Sequence, residues 1–236
     1  MIRTLLSVAL ASTMFAGCAS NPSAGGEDEL AGESANDDAG KQDGTGLYGY
    51  WTIASKGTGF TVARVNRSSA ICGDDTTAAQ CDVEALEWFA SGFGDSDIAA
   101  FEQSIKDGKQ LILQGDIVGV DEGHPQITFD INQVWLAGSE DGVTEGVFVL
   151  AKDNGVRCIT EPCASITETR LNTARNIDIT AIDLDETGAD ESAVLIARMQ
   201  LSRDGVIIAG DRYYYGNDGK GRMANQFFTR AVPPQF

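Results

Sequence analysis

The chain is predicted to adopt an α+β fold: two divergent copies of a β-β-β-α-β-β unit, forming mainly antiparallel sheet with one helix per copy. Three observations predict it. A series of motifs that opens at Gly49 opens again at Gly146. Within each series, apolar residues alternate along short runs bounded by glycine, the period of a strand buried on one face. One run per series then changes to spacings of three and four, the period of a helix laid on a core.

The first copy is placed at 47–138 and the second at 139–236. The first begins `GYWTIASKGTGFTVARVNRS`, the second `GVFVLAKDNGVRCITEPCASITETRLNTA`. Each has a glycine, an aromatic-containing apolar run and a lysine turn. Each then enters a strand that ends in Arg-apolar-Asn, as Arg64-Val65-Asn66 and Arg170-Leu171-Asn172. An alternating strand, a turn at glycine, a helix, an Asp-Gly break and an apolar strand with Gly-Asp follow in both. The last strand is `QITFDINQVWLA` in one copy and `NQFFTRAV` in the other. In the first helix Asp95 or Ser96 is expected to cap, because a short side-chain oxygen satisfies free N–H groups. Ile98, Phe101 and Ile105 share its buried face, and Gly108 stops it. In the second helix Asp190 caps, Val194, Ala197 and Leu201 mark the stripe, and Gly205 stops it. One helix cannot cover five strands, so the copies are expected to share a single body over 47–236.

Residues 1–17 read as a signal peptide: Arg3, then an apolar run of roughly 11 residues that is too short to span a bilayer. Cys18 follows Ala16-Gly17 and is expected to carry a lipid, although Phe15 stands where a lipobox usually has leucine. Residues 18–46 form an acidic tether with seven carboxylates, one lysine, one leucine and no aromatic. Such a segment buries too little apolar surface to offset its ordering entropy, and as a coil it spans about 30 Å. No Asp follows Cys18, which favours anchorage at the outer membrane, on either face. The formal charge of the chain is −18, a field that excludes nucleic acid as a partner and suits an exported protein.

With Cys18 lipidated, four cysteines remain. In an exported chain they read as disulfides, and the pairing Cys72–Cys81 with Cys158–Cys163 makes the least topological demand. A zinc site would want a second close cysteine pair or histidines, and His124 is the only histidine. The Cys158–Cys163 staple would shape the turn `ITEP`, where Pro162 restricts Glu161.

The stretches `FTVARVNRS`, `GVRCITEPCASITETRLN` and `DGVIIAGD`, with their cysteine spacing and Arg-apolar-Asn ends, resemble an uncharacterised family of bacterial, often myxobacterial, lipoproteins known as a domain of unknown function. The resemblance covers nearly all of 48–231. It implies an envelope lipoprotein and supplies no catalytic residue. Members commonly carry a close cysteine pair in the first half too, where this chain has `SKGTG`.

Candidate chemistry is sparse. A Ser-His-Asp or Cys-His device would have to use His124, and no Gly-x-Ser-x-Gly elbow is present. Asp183, Asp185 and Thr187, with Gly188, have the spacing of the start of a calcium loop, but its twelfth place holds Val194 instead of Glu. The simpler reading is an acidic helix N-terminus. Tyr213, Tyr214 and Tyr215 would alternate across a strand, either packed into the sheet or exposed as a contact surface for a glycan or protein. The leading expectation is a non-enzymatic binding or structural module without a cofactor. A carboxylate-dependent hydrolase and a calcium-stabilised surface module stand as alternatives.

Overall fold

The computed structural model describes residues 49–120, 125–173, 175–216 and 219–233. The first half runs β1 (Gly49–Lys56), β2 (Gly59–Arg64), the small hairpin β3 (Ala70–Ile71) and β4 (Thr77–Ala78), then β5 (Cys81–Val83) and β6 (Ala85–Glu87). A 3-10 turn (Phe89–Ser91), α1 (Asp95–Lys106), β7 (Leu111–Val118) and β8 (Thr128–Ala137) complete it. The second half runs β9 (Val147–Asp153), β10 (Ile166–Arg170), β11 (Asn176–Ile179), β12 (Ala181–Asp183) and a 3-10 turn (Asp185–Thr187). It ends with α2 (Glu191–Leu201), β13 (Val206–Tyr215) and β14 (Gly219–Arg230).

The fold is mostly antiparallel sheet with two helices. One sheet has the order β11-β10-β9-β13-β14-β8-β7-β1-β2-β5, with β6 parallel to β8 and β12 parallel to β14. Two features of each half go beyond the expected element series. A three-residue parallel strand and a 3-10 turn precede each helix, and both are too short to show a period in the sequence. Both expected disulfides are formed. Cys72–Cys81 lies within the first core cluster, and Cys158–Cys163 closes the exposed loop between β9 and β10.

The helix ends follow the chemistry of their first turns. Asp190 caps α2, its carboxylate accepting from the Ala193 N–H at 2.8 Å. The cap of α1 is a correction: it is Gly94, with extended backbone and no side-chain bond, so neither Asp95 nor Ser96 occupies the cap. Asp95 and Asp97 instead lie inside the first turn, where their charges meet the positive end of the helix dipole.

Glycine is required at one bulge in each of two hairpins. The β7–β8 register shifts between Gln114 and Gly115, and the β13–β14 register between Ala209 and Gly210. A Cβ on Gly115 would sit 2.1 Å from the Asp130 carbonyl, and one on Gly210 2.0 Å from that of Met223.

Three apolar clusters hold the sheet. One lies under α1 and joins Trp51, Val62, Leu113, Phe129 and Ile131 to Trp88 and Ile105. A second lies under α2, with Val149, Ile208 and Phe227 against Ala197. The third uses the opposite face of the central strands: Ile112 and Trp135 from the first half, Phe148, Ile207 and Phe228 from the second. Burial on both faces explains why `LIL` in β7 and `VIIA` in β13 run apolar without alternating.

Val65 and Leu171 join this third cluster from the Arg-apolar-Asn ends. The asparagines that follow have φ of 56° and 59°. Asn66 reaches the second half: its Nδ2 donates to the carbonyls of Phe148 and Leu171, at 2.6 and 3.1 Å, and its Oδ1 accepts from the Phe148 N–H at 2.9 Å. Asn172 reaches the first half in the same way. Its Nδ2 donates to the carbonyls of Tyr50 and Val65, each at 2.8 Å, and its Oδ1 accepts from the Tyr50 N–H at 2.8 Å. The two clasps bring β1 and β9, which have four strands between them in the order, onto one closure.

Asn66→Gly keeps the positive φ and removes the three hydrogen bonds. Because buried main-chain groups lose their partners, the expected cost is about 3 kcal/mol, with the same for Asn172→Gly. Urea denaturation measures it; a cost below about 0.5 kcal/mol in both variants contradicts a stabilising role for the clasp.

Candidate functional site

The far end of the β13–β14 hairpin, with β12 beside it, carries the chain's aromatic run. Side chains alternate across a strand, so Asp211, Tyr213 and Tyr215 share one face of β13. The register sets Asp211 opposite Met223, Tyr213 opposite Gly221 and Tyr215 opposite Gly219. On the other flank of β14, β12 sets Ala181 beside Gly221 and Asp183 beside Met223. This face therefore has one row of Asp211, Met223 and Asp183, and next to it two tyrosines facing two glycines.

The glycines let the rings lie down. A Cβ on Gly221 would come within 2.3 Å of the Tyr213 ring, and one on Gly219 within 2.6 Å of the Tyr215 ring. Each ring rests on bare backbone, an aromatic cover for a glycine that would otherwise weaken the strand. The two centroids are 5.7 Å apart with 31° between planes. The Tyr215 hydroxyl bonds the Thr180 hydroxyl. Desolvation, then the charge of Asp183 and the neighbouring Tyr215, raise the Tyr213 pKa above that of an ordinary phenol. Tyr215 stays 42% exposed and Met223 41%. Tyr214 takes the opposite face and is exposed as well.

That opposite face carries the cations of this end of the hairpin, Arg212, Lys220 and Arg222. Arg222 is fully buried and pairs with Glu168 of β10, which is also buried; Arg212 reaches the same carboxylate at 3.2 Å. Arg222 Nη1 donates to the bulge carbonyl of Gly210 at 2.6 Å. Counted from the bulge glycines and the strand-end arginines, the first half has Phe129, Ile117 and Val62 at the places of Arg222, Arg212 and Glu168. An apolar trio in one half thus stands where the other has an Arg–Glu–Arg cluster.

The expected cation-loop residues are placed apart in role. Thr187 is buried and its hydroxyl donates to the Leu184 carbonyl at 2.7 Å, as Ser91 does to Trp88 in the first half. The Asp183 carboxylate accepts from the Asp185 N–H at 3.0 Å. Among the described residues no three His, Cys, Asp or Glu side chains gather as metal ligands. Instead Asp183 stands beside Tyr213, which unites two stretches that the sequence suggested separately. Cys18 and His124 lie outside the described residues. A shallow depression of about 450 Å³ at the end of α1 is lined by Lys109 and Glu140, which neutralise each other across 3.1 Å.

Asp211, Met223 and the Glu168–arginine cluster escape a reading of the sequence. Their meaning comes from register across three strands, and the only local signal is the strict alternation in `DRYYY` and `GKGRM`.

A family model described as Domain of unknown function (DUF6748) matches residues 53–234, and the chain belongs to that family. No curated protein and no solved structure matches it.

Removing one partner of a buried ion cluster leaves a charge without compensation, so Glu168→Gln is expected to cost about 3–5 kcal/mol. The triple variant Glu168→Val, Arg212→Ile, Arg222→Phe copies the first half's trio and is expected to be at least as stable as the parent. Chemical denaturation of both variants checks this. A triple variant as damaged as Glu168→Gln contradicts it.

Proposed function

We propose that this chain is an exported envelope protein, anchored through a lipid on Cys18, whose folded part binds a partner without catalysing a reaction. The observation that carries the binding role is the posture of Tyr213 and Tyr215. Each ring packs against a glycine, Tyr213 is half-buried, and Tyr215 is exposed, as is Met223 on the same face. Aromatic rings held rigidly in this way supply contact area at little entropic cost, the property that enriches tyrosine at interfaces. The apolar segment before Cys18 and the acidic stretch after it support export and tethering, with the outer membrane as the site of anchorage.

We also read the two halves as divergent copies of one unit. The shared element series, the mirrored sheet order, the two bulge glycines and the reciprocal asparagines support that origin. Divergence then accounts for the site's location. The tyrosine–glycine pairs belong to the second half alone, since the matching end of β7 and β8 has Ile117, Val118 and Thr128.

Cross-linking the tagged, lipidated protein in its own cells, followed by mass spectrometry, tests the reading. A reproducible partner is expected. Its capture should fall with Tyr213→Ser plus Tyr215→Ser, while a two-state melt shows the domain still folded, and should also fall with Cys18→Ser. Capture indifferent to the tyrosines, or no partner at any cross-linker length, overturns the proposal.

A further inference from the structure

We infer that the face formed by Asp183, Asp211, Tyr213, Tyr215 and Met223 binds an extended, basic protein segment with Lys or Arg at alternate positions. This rests on the binding role proposed above and assigns that site a ligand class. Charge on the hairpin is sorted by face. Next to the turn, Asp211, Tyr213, Tyr215 and Met223 point one way, and Arg212, Tyr214, Lys220 and Arg222 the other, so the three cations of that segment are withdrawn from the tyrosine face, and Arg230 lies at the far end of β14. The face of an aromatic ring presents the negative pole of its quadrupole, which attracts a guanidinium or ammonium placed over it. The neighbouring row adds two carboxylates on strands that flank β14, about 10 Å apart from the spacing of strands. The negative charge of Asp183 reaches the Tyr213 hydroxyl. A neutral sugar would use the rings and gain nothing from this field; a cation uses both.

The spacing selects an extended segment. Asp211, Tyr213 and Tyr215 follow one another at two-residue intervals, about 6.8 Å each along a strand. Alternate side chains of an extended peptide repeat at the same interval, so three successive cations on one side of the peptide can meet a carboxylate and two ring faces in register. Met223, between the two acids, offers a polarisable apolar surface for the methylene stems of Lys or Arg.

Titration of the full chain in non-ionic detergent with a capped Ser-Arg-Ser-Arg-Ser-Arg peptide, followed by the NMR ring signals of Tyr213 and Tyr215, tests this. The alternating peptide is expected to shift both rings and to bind better than Arg-Arg-Arg-Ser-Ser-Ser of equal charge. Asp183→Asn with Asp211→Asn should weaken binding about tenfold; Asn at position 183 still accepts from the Asp185 N–H. Glu140→Gln with Asp141→Asn removes the same charge elsewhere and should weaken it less than about twofold. Equal weakening by the two double variants, or no shift with either peptide, overturns the inference. Ring shifts with chitotetraose but not with peptide also overturn it, and leave the broader binding role standing. That role fails separately, if capture in cells ignores the tyrosines.

Discussion

Asn66 and Asn172 stand where a strand has ended and the main chain must turn while its donors and acceptors are still buried. Asparagine suits both demands. It tolerates positive φ better than other residues with side chains, and its amide offers a donor and an acceptor at once. Each one completes the hydrogen bonding of a strand that belongs to the other half. The sheet is thereby held against itself, and the face opposite the helices becomes an interior. Trp135, Phe148 and Phe228 fill it. Without that closure the central strands would show a broad apolar face to water, and the continuous `LIL` and `VIIA` runs would be a liability.

A second constraint follows from register. In a strand a slip of one residue exchanges the two faces. The pairing of β13 with β14 buries Arg222 and leaves Arg212 partly covered, both on Glu168, and that choice sends Asp211, Tyr213, Tyr215 and Met223 outward together. An ion cluster of this kind is a weak source of stability because desolvation offsets most of the attraction. It is nonetheless a strong specifier here. A slipped register would bury Asp211 beside the apolar cluster and leave Glu168 without partners. The first half has Phe129 and Val62 at the places counted above, and among its described residues there is no such polar lock and no tyrosine face.

Much of the fold was legible because the signals were local. Asp190 as a cap, the Ile98–Phe101–Ile105 stripe and the cysteine pairs each depend on residues a few positions apart. The short parallel strands β6 and β12 were not legible: three residues carry no period, and their pairing depends on a strand forty residues downstream. Gly94 was missed as a cap because two better oxygens follow it, yet those acids are used one step further in. At the candidate site, the tyrosines and Asp183 could be noticed singly. That they adjoin could not, since β12 joins β14 as a parallel neighbour with α2 and β13 intervening in sequence.

The glycines decide what kind of surface the tyrosines make. A strand that needed only stability would place valine or threonine opposite an aromatic ring, gaining cross-strand contact without the entropic loss of glycine. Gly219 and Gly221 give up that contact. With a branched residue opposite, each ring would be pushed upright and would show an edge to solvent. With glycine opposite, the ring lies flat and shows its face. Two adjacent pairs do this, 5.7 Å apart, and the hydroxyl of Tyr215 is fixed by Thr180. Sheet packing and an open aromatic surface are therefore one arrangement here: the glycine that receives the lower face of each ring is what turns the upper face outward.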